Sequence, residues 1–556
     1  MPRIIIKNGA DIDRVYECDP EDNLYHFMTG LSLIDAPCGG AGCCGKCKVK
    51  ILEGNVISAE AEKEFFSEQE TAEGWHLACL HTVKGELTLE LEPEEVIGEI
   101  ISKGYLKEFT KKPYISKQLD ELGNTLVMAG NEVIDREVGD TRNRLFGLAI
   151  DIGTTTVVAA LIDMSNGREL TSMSCLNGQK IFGQDVITRI NYAMTQKNGT
   201  LIQQKTIVTD LRNLIQKIIA ECRREYDLSA NDIYEVTVGG NTTMIHLLAG
   251  IDPSSMGTAP YTPAFRGPLI LSGINDLQLP VSKKCLVYCL PSVSAFVGGD
   301  ITAGILACSI QQNPGNILFI DIGTNGEMVL SKGGKLSACS CAAGPALEGM
   351  NISCGMRAAN GSIEEVKLLG DGADISVEIS VIGNEKPKGL CGSGLLSVVA
   401  ELNRTGILQK SGRLLDHPLV ENVAGKKHFV IDQENDIYLT QQDIRQVQLA
   451  KGAILSGIQA MVQANEMTFG EIDQVMVAGQ FGANLKAESL TGAGLIPSEL
   501  EDVITYVGNT SKSGAYLCLL STEERANGEK IVDEVSYIEL SSLAGYEKLF
   551  VKAMKF

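Results

Sequence analysis

The sequence has no apolar stretch approaching the ~20 residues needed to cross a bilayer, and its start, MPRIIIKNGADIDR, carries no apolar export core. A cytoplasmic protein is expected. It is also short of positive charge: 48 Lys and Arg stand against 70 Asp and Glu, a formal net charge of −22, the wrong sign for binding a phosphate backbone. Neither nucleic acid nor membrane is expected as a partner. Only six His are present, none in an H-x3-H or HExxH spacing. His76, His81 and His246, the ones nearest to motifs, read as ordinary core or surface side chains.

What is present is an ordinary globular composition, 44% hydrophobic and 21% charged, over 556 residues, enough for several domains at ~100–200 residues each. The sixteen cysteines fall unevenly: Cys18, Cys38, Cys43, Cys44, Cys47 and Cys79 lie in the first hundred residues and ten are spread over the rest. In a reducing compartment they read as thiols and metal ligands, not as a disulfide framework. The same hundred residues hold 20 acidic and 8 basic side chains, so −12 of the total charge sits there.

Residues 1–92 alternate short β-rich runs (IIIKNG, KCKVKIL, ELTLELE) with turns, and Gly39, Gly40, Gly42 and Gly45 crowd one loop, which predicts a small α+β, β-grasp domain. In that loop, APCGGAGCCGKC, Cys38, Cys44 and Cys47 are spaced C-x5-C-x2-C, and WHLACLH supplies Cys79. Four thiolates suit a 2Fe–2S cluster, wrapped by glycines that leave backbone N–H groups for the sulfides. Cys44 is the better ligand than Cys43, which leaves three residues before Cys47. A structural zinc knot fits less well, because zinc sites usually pair two C-x2-C units. Cys339, Cys341, Cys354 and Cys391 read as buried core thiols.

Residues 93–144 are polar, mixed in charge and weakly periodic, which suits a linker with one or two amphipathic helices. From residue 145 the pattern changes. LFGLAIDIGTTTVVAALID and NILFIDIGTNGEMVLSKGG each read as an apolar strand, an Asp-x-Gly turn and a second strand, with Asp151 and Asp321 170 positions apart, so two similar halves are expected. Such turns aim backbone N–H groups at phosphate while the carboxylate holds Mg²⁺ or orients the attacking water. Asp151 and Asp321 are the catalytic candidates, with Gly153, Thr154, Thr155, Gly323, Thr324 and Asn325 as phosphate cradle. VMVAGQFGANL adds Gly479 and Gly482 for adenosine, and LPSVSAFVGGDITAGILA reads as a small-residue helix for close packing between the halves.

This order of turn, packing helix, turn, packing helix and glycine pair resembles the actin, sugar-kinase and heat-shock-chaperone ATPase superfamily. With VGGNTTMIHLLAGIDP, CAAGPALEGMNISCGM, GLCGSGLL and the cysteine loop added, the chain resembles the reductive activators of corrinoid proteins. That resemblance implies a multidomain chain: a β-grasp (α+β) 2Fe–2S ferredoxin-like domain over 1–92, a linker over 93–144, and an α/β ATPase of two similar halves, 145–315 and 316–545. It implies a 2Fe–2S cluster on Cys38, Cys44, Cys47 and Cys79, ATP and Mg²⁺ as cofactors, and Gly344 in the nucleotide site. Its implied activity is ATP-dependent reduction of inactive Co(II) corrinoid to Co(I) in an anaerobic methyltransferase system. The implied partners are the corrinoid protein and an upstream electron donor, with a homodimer by family analogy. The D-x-H-x2-G signature of a base-off corrinoid carrier is missing, so the corrinoid belongs to the partner. Two alternatives stand beside it: an ATP-dependent low-potential donor to another metalloenzyme, and a nucleotide-binding redox sensor. A sugar kinase leaves the cysteines unexplained.

Replacing Cys38, Cys44, Cys47 or Cys79 with Ala is expected to abolish the 2Fe–2S visible and EPR spectra of anaerobically purified protein, and Cys43→Ala to leave them intact. A spectrum that survives Cys44→Ala moves the ligand to Cys43.

Overall fold

Alternation decides the first elements. In β1 (Arg3–Lys7) Ile4 and Ile6 point inward while their neighbours stay wetter, the period-two pattern of a strand with one buried face. A computed structural model describes residues 2–7, 14–31, 33–34, 40, 42, 45, 47–54, 56–91, 104–423, 425–479 and 485–556. The chain divides into two compact units, Met1–Val96 with Gly178–Arg189, and Ile97–Asn177 with Ile190–Phe556. In the first, β1 joins β2 (Arg14–Glu17), β3 (Lys48–Glu53), β4 (Trp75–Leu77) and β5 (Leu87–Leu91) in one sheet of order β2-β1-β5-β3-β4. The β1–β5 pair is parallel and the others antiparallel. The helix Leu24–Gly30, capped by Asn23, lays Leu24, Tyr25 and Met28 in the core with Val49, Leu77 and Leu89. This is the expected β-grasp.

The second unit opens on a difference. Where the sequence predicts a helical linker, the described part of residues 93–144 forms a three-stranded antiparallel meander: β6 (Ile115–Leu119), β7 (Thr125–Ala129) and β8 (Glu132–Glu137). Ile115, Val127 and Ala129 enter the same core as Leu145 and Tyr234. Exposed polar positions dilute the period-two signal in such short strands, and the two-residue Gly130–Asn131 connection between β7 and β8 was the readable clue.

Two sheets of like order follow. The first contains β9 (Phe146–Ile152), β10 (Thr156–Asp163), β11 (Arg168–Leu176), β12 (Ile233–Gly240), β13 (Leu269–Ser272) and β14 (Leu286–Cys289) in the order β11-β10-β9-β12-β14-β13. In the second half, β15 (Ile317–Ile322), β16 (Gly326–Lys332) and β17 (Lys335–Cys341) precede two small sheets, β18 (Ser362–Leu369), β19 (Ser376–Val381) and β20 (Gly389–Leu390), then β21 (Val420–Val423), β22 (Lys426–Asp432) and β23 (Ile437–Thr440). Then β24 (Gln474–Ala478), β25 (Ile504–Gly508) and β26 (Ser536–Tyr537) complete the order β25-β24-β15-β16-β17-β26. Counted within each sheet, both place the third, second, first and fourth strands side by side in that order; β14 follows the fourth in the first half and β25 in the second. In both, a hairpin of strands one and two carries the Asp-x-Gly turn, and strand one pairs parallel with strand four. Two similar halves are thus present. Among the described residues no helix is long and apolar enough to cross a membrane.

Each half then sends a helix into a shared core: Gly299–Ala307 after β14 and Thr510–Leu520 after β25. Of the small-residue stretch read as helix, 299–307 is helical and 290–298 is not. The pair touches through missing side chains, since a Cβ at Gly514 would lie 2.4 Å from Ala303 Cα, and one at Gly304 3.1 Å from Thr510 Oγ1 and 2.6 Å from the Phe319 ring of β15. Interiors tolerate such insertions poorly. Gly514→Val should therefore lower stability by about 1–3 kcal/mol, whereas Gly470→Val, in open space, should change it by less than about 0.5 kcal/mol; thermal melts of both variants check this.

Candidate functional site

The two Asp-x-Gly hairpins face one cleft. Asp151 and Asp321 sit one residue before the ends of β9 and β15, and each turn closes on its glycine: Gly153 N–H donates to Thr156 O at 2.9 Å, and Gly323 N–H to Asn325 O at 2.9 Å. The cleft, about 760 Å³ including its open mouth, is lined by Asp151, Gly153, Thr154, Thr155, Asp321, Gly323, Thr324, Asn325 and Gly479 of the predicted set. Gly479 is held at φ +109°, and a Cβ there would come within 2.3 Å of Ile322 O, so no other residue fits. Gly344 is not among the lining residues; its N–H donates to Thr324 O at 2.8 Å and so braces the second turn. Gly482 lies outside the described residues.

Beside Thr156, Thr510 and Ser511, five further polar residues line the cleft that the sequence reading did not name as site residues. Glu327 stands opposite Asp321 across the β15–β16 hairpin, so a tight Asp-x-Gly turn places the carboxyl six positions on beside the first; that spacing was readable. Asp300 opens the helix Gly299–Ala307, where Gly298 lets the chain pass Asn241, a Cβ there meeting Asn241 Cα at 2.4 Å. Asn241 caps the helix Thr242–Ala249 and donates from Nδ2 to Thr154 Oγ1 at 3.1 Å. Asn509 caps the partner helix and donates from Nδ2 to Asp151 Oδ2 at 2.9 Å. Glu348 bridges the halves: it accepts from Thr155 Oγ1 at 3.0 Å and from Thr324 Oγ1 at 2.7 Å. No local pattern marks Asp300 or Glu348, because only the folded halves bring them here.

Among the described residues no Lys, Arg or His lines this cleft. Burial, then the charges of Asp300 and Asp151, push Asp321 up to about 8. Burial, then Asp151, push Asp300 up to about 7. Glu327 is raised well above the usual range by burial and then by Asp300 and Asp321, and burial raises Asp151 although Ser511 and Asn509 hydrogen-bond it. So many carboxyls stay ionised together only beside a cation, and an all-oxygen donor set is what Mg²⁺ takes.

In the N-terminal unit the structure brings Cys47 and Cys79 together, buried, with sulfurs 3.2 Å apart, beyond disulfide length. The Ala78 N–H donates to Cys47 O and Asn23 Nδ2 to Cys79 O, both at 2.9 Å. In the same loop Gly45 has φ +67° and a Cβ there would meet the Phe65 ring at 2.6 Å. Paired buried thiols beside a glycine-held turn fit iron–sulfur ligation. Cys38, Cys43 and Cys44 lie outside the described residues. Cys339, Cys341, Cys354 and Cys391 form no metal-ligand group; among the described residues that distinction belongs to Glu62, His76 and His81 alone. Glu62 is buried, yet hydrogen bonds from His81, Leu77 and Ala59 outweigh burial and hold its carboxyl below the usual range.

Fold and site define a class: a ferredoxin-type iron–sulfur domain and a nucleotide-binding ASKHA domain in one chain. Residues 7–84 match the 2Fe-2S iron-sulfur cluster binding domain, 146–313 the RACo middle region, and 315–556 the C-terminal domain of RACo, the ASKHA domain. The corrinoid activation enzyme RamQ of Eubacterium limosum is 30% identical over 91% of each chain. The [Co(II) methylated amine-specific corrinoid protein] reductase of Methanosarcina barkeri is 23% identical over 66% of this chain and 68% of its own. A solved reductive activator for corrinoid, iron-sulfur protein superposes with a TM-score of 0.72 at 30% identity, covering 100% of this chain and 98% of that one. The chain belongs to the family of reductive activators of corrinoid proteins.

The raised carboxyls predict a pH dependence. Asp321 keeps in the folded state a proton that the unfolded chain has released above its ordinary value of 3.8, so its contribution costs stability increasingly as pH rises towards about 8. In the absence of Mg²⁺, wild type should lose melting temperature relative to Asp321→Asn across that window, and Mg²⁺ should close the gap. Parallel melting curves for the two proteins would contradict it.

Proposed function

We propose that this chain is an ATP-dependent reductive activator of a corrinoid protein, passing one electron through a 2Fe–2S cluster to inactive Co(II) and so restoring Co(I) in a methyltransferase system. The observation that supports it best is the coexistence, in a chain of this family, of the converging thiols Cys47 and Cys79 with a carboxylate-walled cleft between two like halves. The proposed division is 1–92 for the electron carrier, 145–315 and 316–545 for the ATPase halves, and Cys38, Cys44, Cys47 and Cys79 for the cluster ligands.

In the cleft, Asp151 and Asp321 are the carboxylates placed to hold Mg²⁺, through its waters or directly. Backbone N–H groups and hydroxyls of Gly153, Thr154, Thr155, Gly323, Thr324 and Asn325 cradle the phosphates. Gly479 and Gly482 let backbone approach the nucleoside. Asp300, near 7 in the unliganded cleft, is the group suited to take the proton of an attacking water. Glu348 must leave Thr155 and Thr324 when a phosphate arrives, since two anions cannot share those hydroxyls; ATP therefore exchanges one bridge between the halves for another. When bound, Mg²⁺ supplies charge neutralisation to the phosphates and the cluster supplies a one-electron store. A nucleotide-set conformation that prefers one state of the corrinoid partner tenfold shifts a one-electron equilibrium by ~59 mV. ATP cleavage then releases the partner.

The test is the optical change from cob(II)alamin to cob(I)alamin in an anaerobic mixture of reductant, this protein, MgATP and a candidate corrinoid protein. All four components should be required. Asp321→Asn should cut ATP turnover at least ~100-fold with folding intact, and Cys38→Ala should abolish Co(I) while ATP cleavage persists. Equal Co(I) without ATP removes the gating role; a response from a different metalloenzyme alone replaces the corrinoid partner.

A further inference from the structure

The N-terminal unit buries one carboxylate with no Lys or Arg on it among the described residues. Glu62 is 2% exposed. Its Oε1 accepts from Leu77 N–H at 2.7 Å and faces His81 Nε2 at 2.8 Å; its Oε2 accepts from Ala59 N–H at 2.8 Å and faces His76 Nδ1 at 3.3 Å. An ionised carboxylate only accepts, so each imidazole turns an N–H towards it. The two rings meet edge to face, 5.0 Å between centroids, and both are buried. All four donors are thereby spent on one anion.

Two of those donors, Leu77 and His81, flank Cys79 on either side, with only the 3₁₀ turn Ala78–Leu80 between them. At ~2 Å of rise per residue, that turn keeps the carboxylate within roughly 8 Å of Cys79. Holding a segment in place does not call for a charge: apolar packing commonly replaces buried ionic groups without loss of stability. What the charge adds is a field. Reduction of a cluster on Cys79 adds one further negative charge, and at an effective permittivity of ~20 a fixed anion at ~8–10 Å disfavours it by on the order of tenfold.

We propose that Glu62 is a positioning residue that lowers the reduction potential of the 2Fe–2S cluster, by fixing a buried negative charge beside the Cys79 segment and clamping that segment through Leu77 and His81. A lower potential makes the reduced cluster a stronger donor, as Co(I) formation demands. The inference rests on the proposed reading only in placing the cluster at Cys79; it does not need the corrinoid.

The experiment is an EPR-monitored redox titration of the full, cluster-loaded chain at one fixed pH. Glu62→Gln should raise the midpoint by about the equivalent of tenfold, ~59 mV, while Glu62→Asp, which keeps the charge, stays closer to wild type. A Gln variant with intact cluster and unchanged midpoint overturns the proposal. Should Gln lose its iron, wild type labelled with ¹³C-glutamate answers instead: the redox-difference infrared spectrum should contain a carboxylate stretch that shifts on reduction and is moved by His81→Gln, and its absence overturns the proposal. One zinc per chain, lost in His76→Gln, would also overturn it, replacing the fixed anion with a His₂Glu metal site. Each of these readouts is independent of Co(I) formation, so a failed corrinoid assay leaves them standing.

Discussion

Mutual repulsion among carboxyl groups governs the nucleotide cleft. Asp151, Asp300, Asp321 and Glu327 converge there without a basic side chain on the wall among the described residues, and each is pushed upward by burial. Protons or a cation must accompany them. The rest of the unit is arranged around that requirement: two hairpins supply the strand-end acids, two crossing helices supply Asp300 and the Asn509 cap, and glycines let the elements close to backbone contact. Glu348, shared between Thr155 and Thr324, links the halves.

Glu62 shows the opposite solution to the same physics. Its side chain is also withdrawn from solvent, yet four donors satisfy both of its oxygens and its carboxyl falls below the usual range. Desolvation decides the state of a carboxyl only where hydrogen bonds do not. The cleft leaves its acids short of donors and so open to a cation, whereas the ferredoxin-type unit closes its acid off as a permanent anion. One arrangement suits a site that turns over, the other a carrier whose potential must stay fixed.

The duplicated sheet order, with strand one central and its hairpin partner beside it, explains why a chain of this length needs only one recurring local signal to build a composite site. Each hairpin alone is a turn with an acid. Opposed across the two packed helices, where Gly304 and Gly514 remove side chains from the contact, the two bring Asp151 and Asp321 to one cleft. Close packing of those helices sets how near the turns approach, so a volume change far from the acids alters the cleft itself.

Much of this was legible in the sequence, because it is written in short range. Alternating or β-rich runs marked β1, β3 and β5, and continuous apolar runs the strands of both hairpins; Asp151 and Asp321 announced themselves by the glycine two positions on; the cysteine spacing and its glycines pointed to iron and sulfur. The meander over β6–β8 escaped, since short half-wet strands resemble a polar linker until a core is there to receive Ile115 and Val127. Asp300, Glu348, Asn241 and Asn509 were beyond local reach: each is an ordinary polar residue at a helix start or in a loop, and only the approach of distant segments gives it a partner. His76 and His81 likewise read as unremarked imidazoles until the sheet folds them onto Glu62. Local spacing determined which chemistry the chain can carry, while tertiary structure decided the protonation and pairing of its acids, because those depend on burial and on neighbours tens to hundreds of positions away.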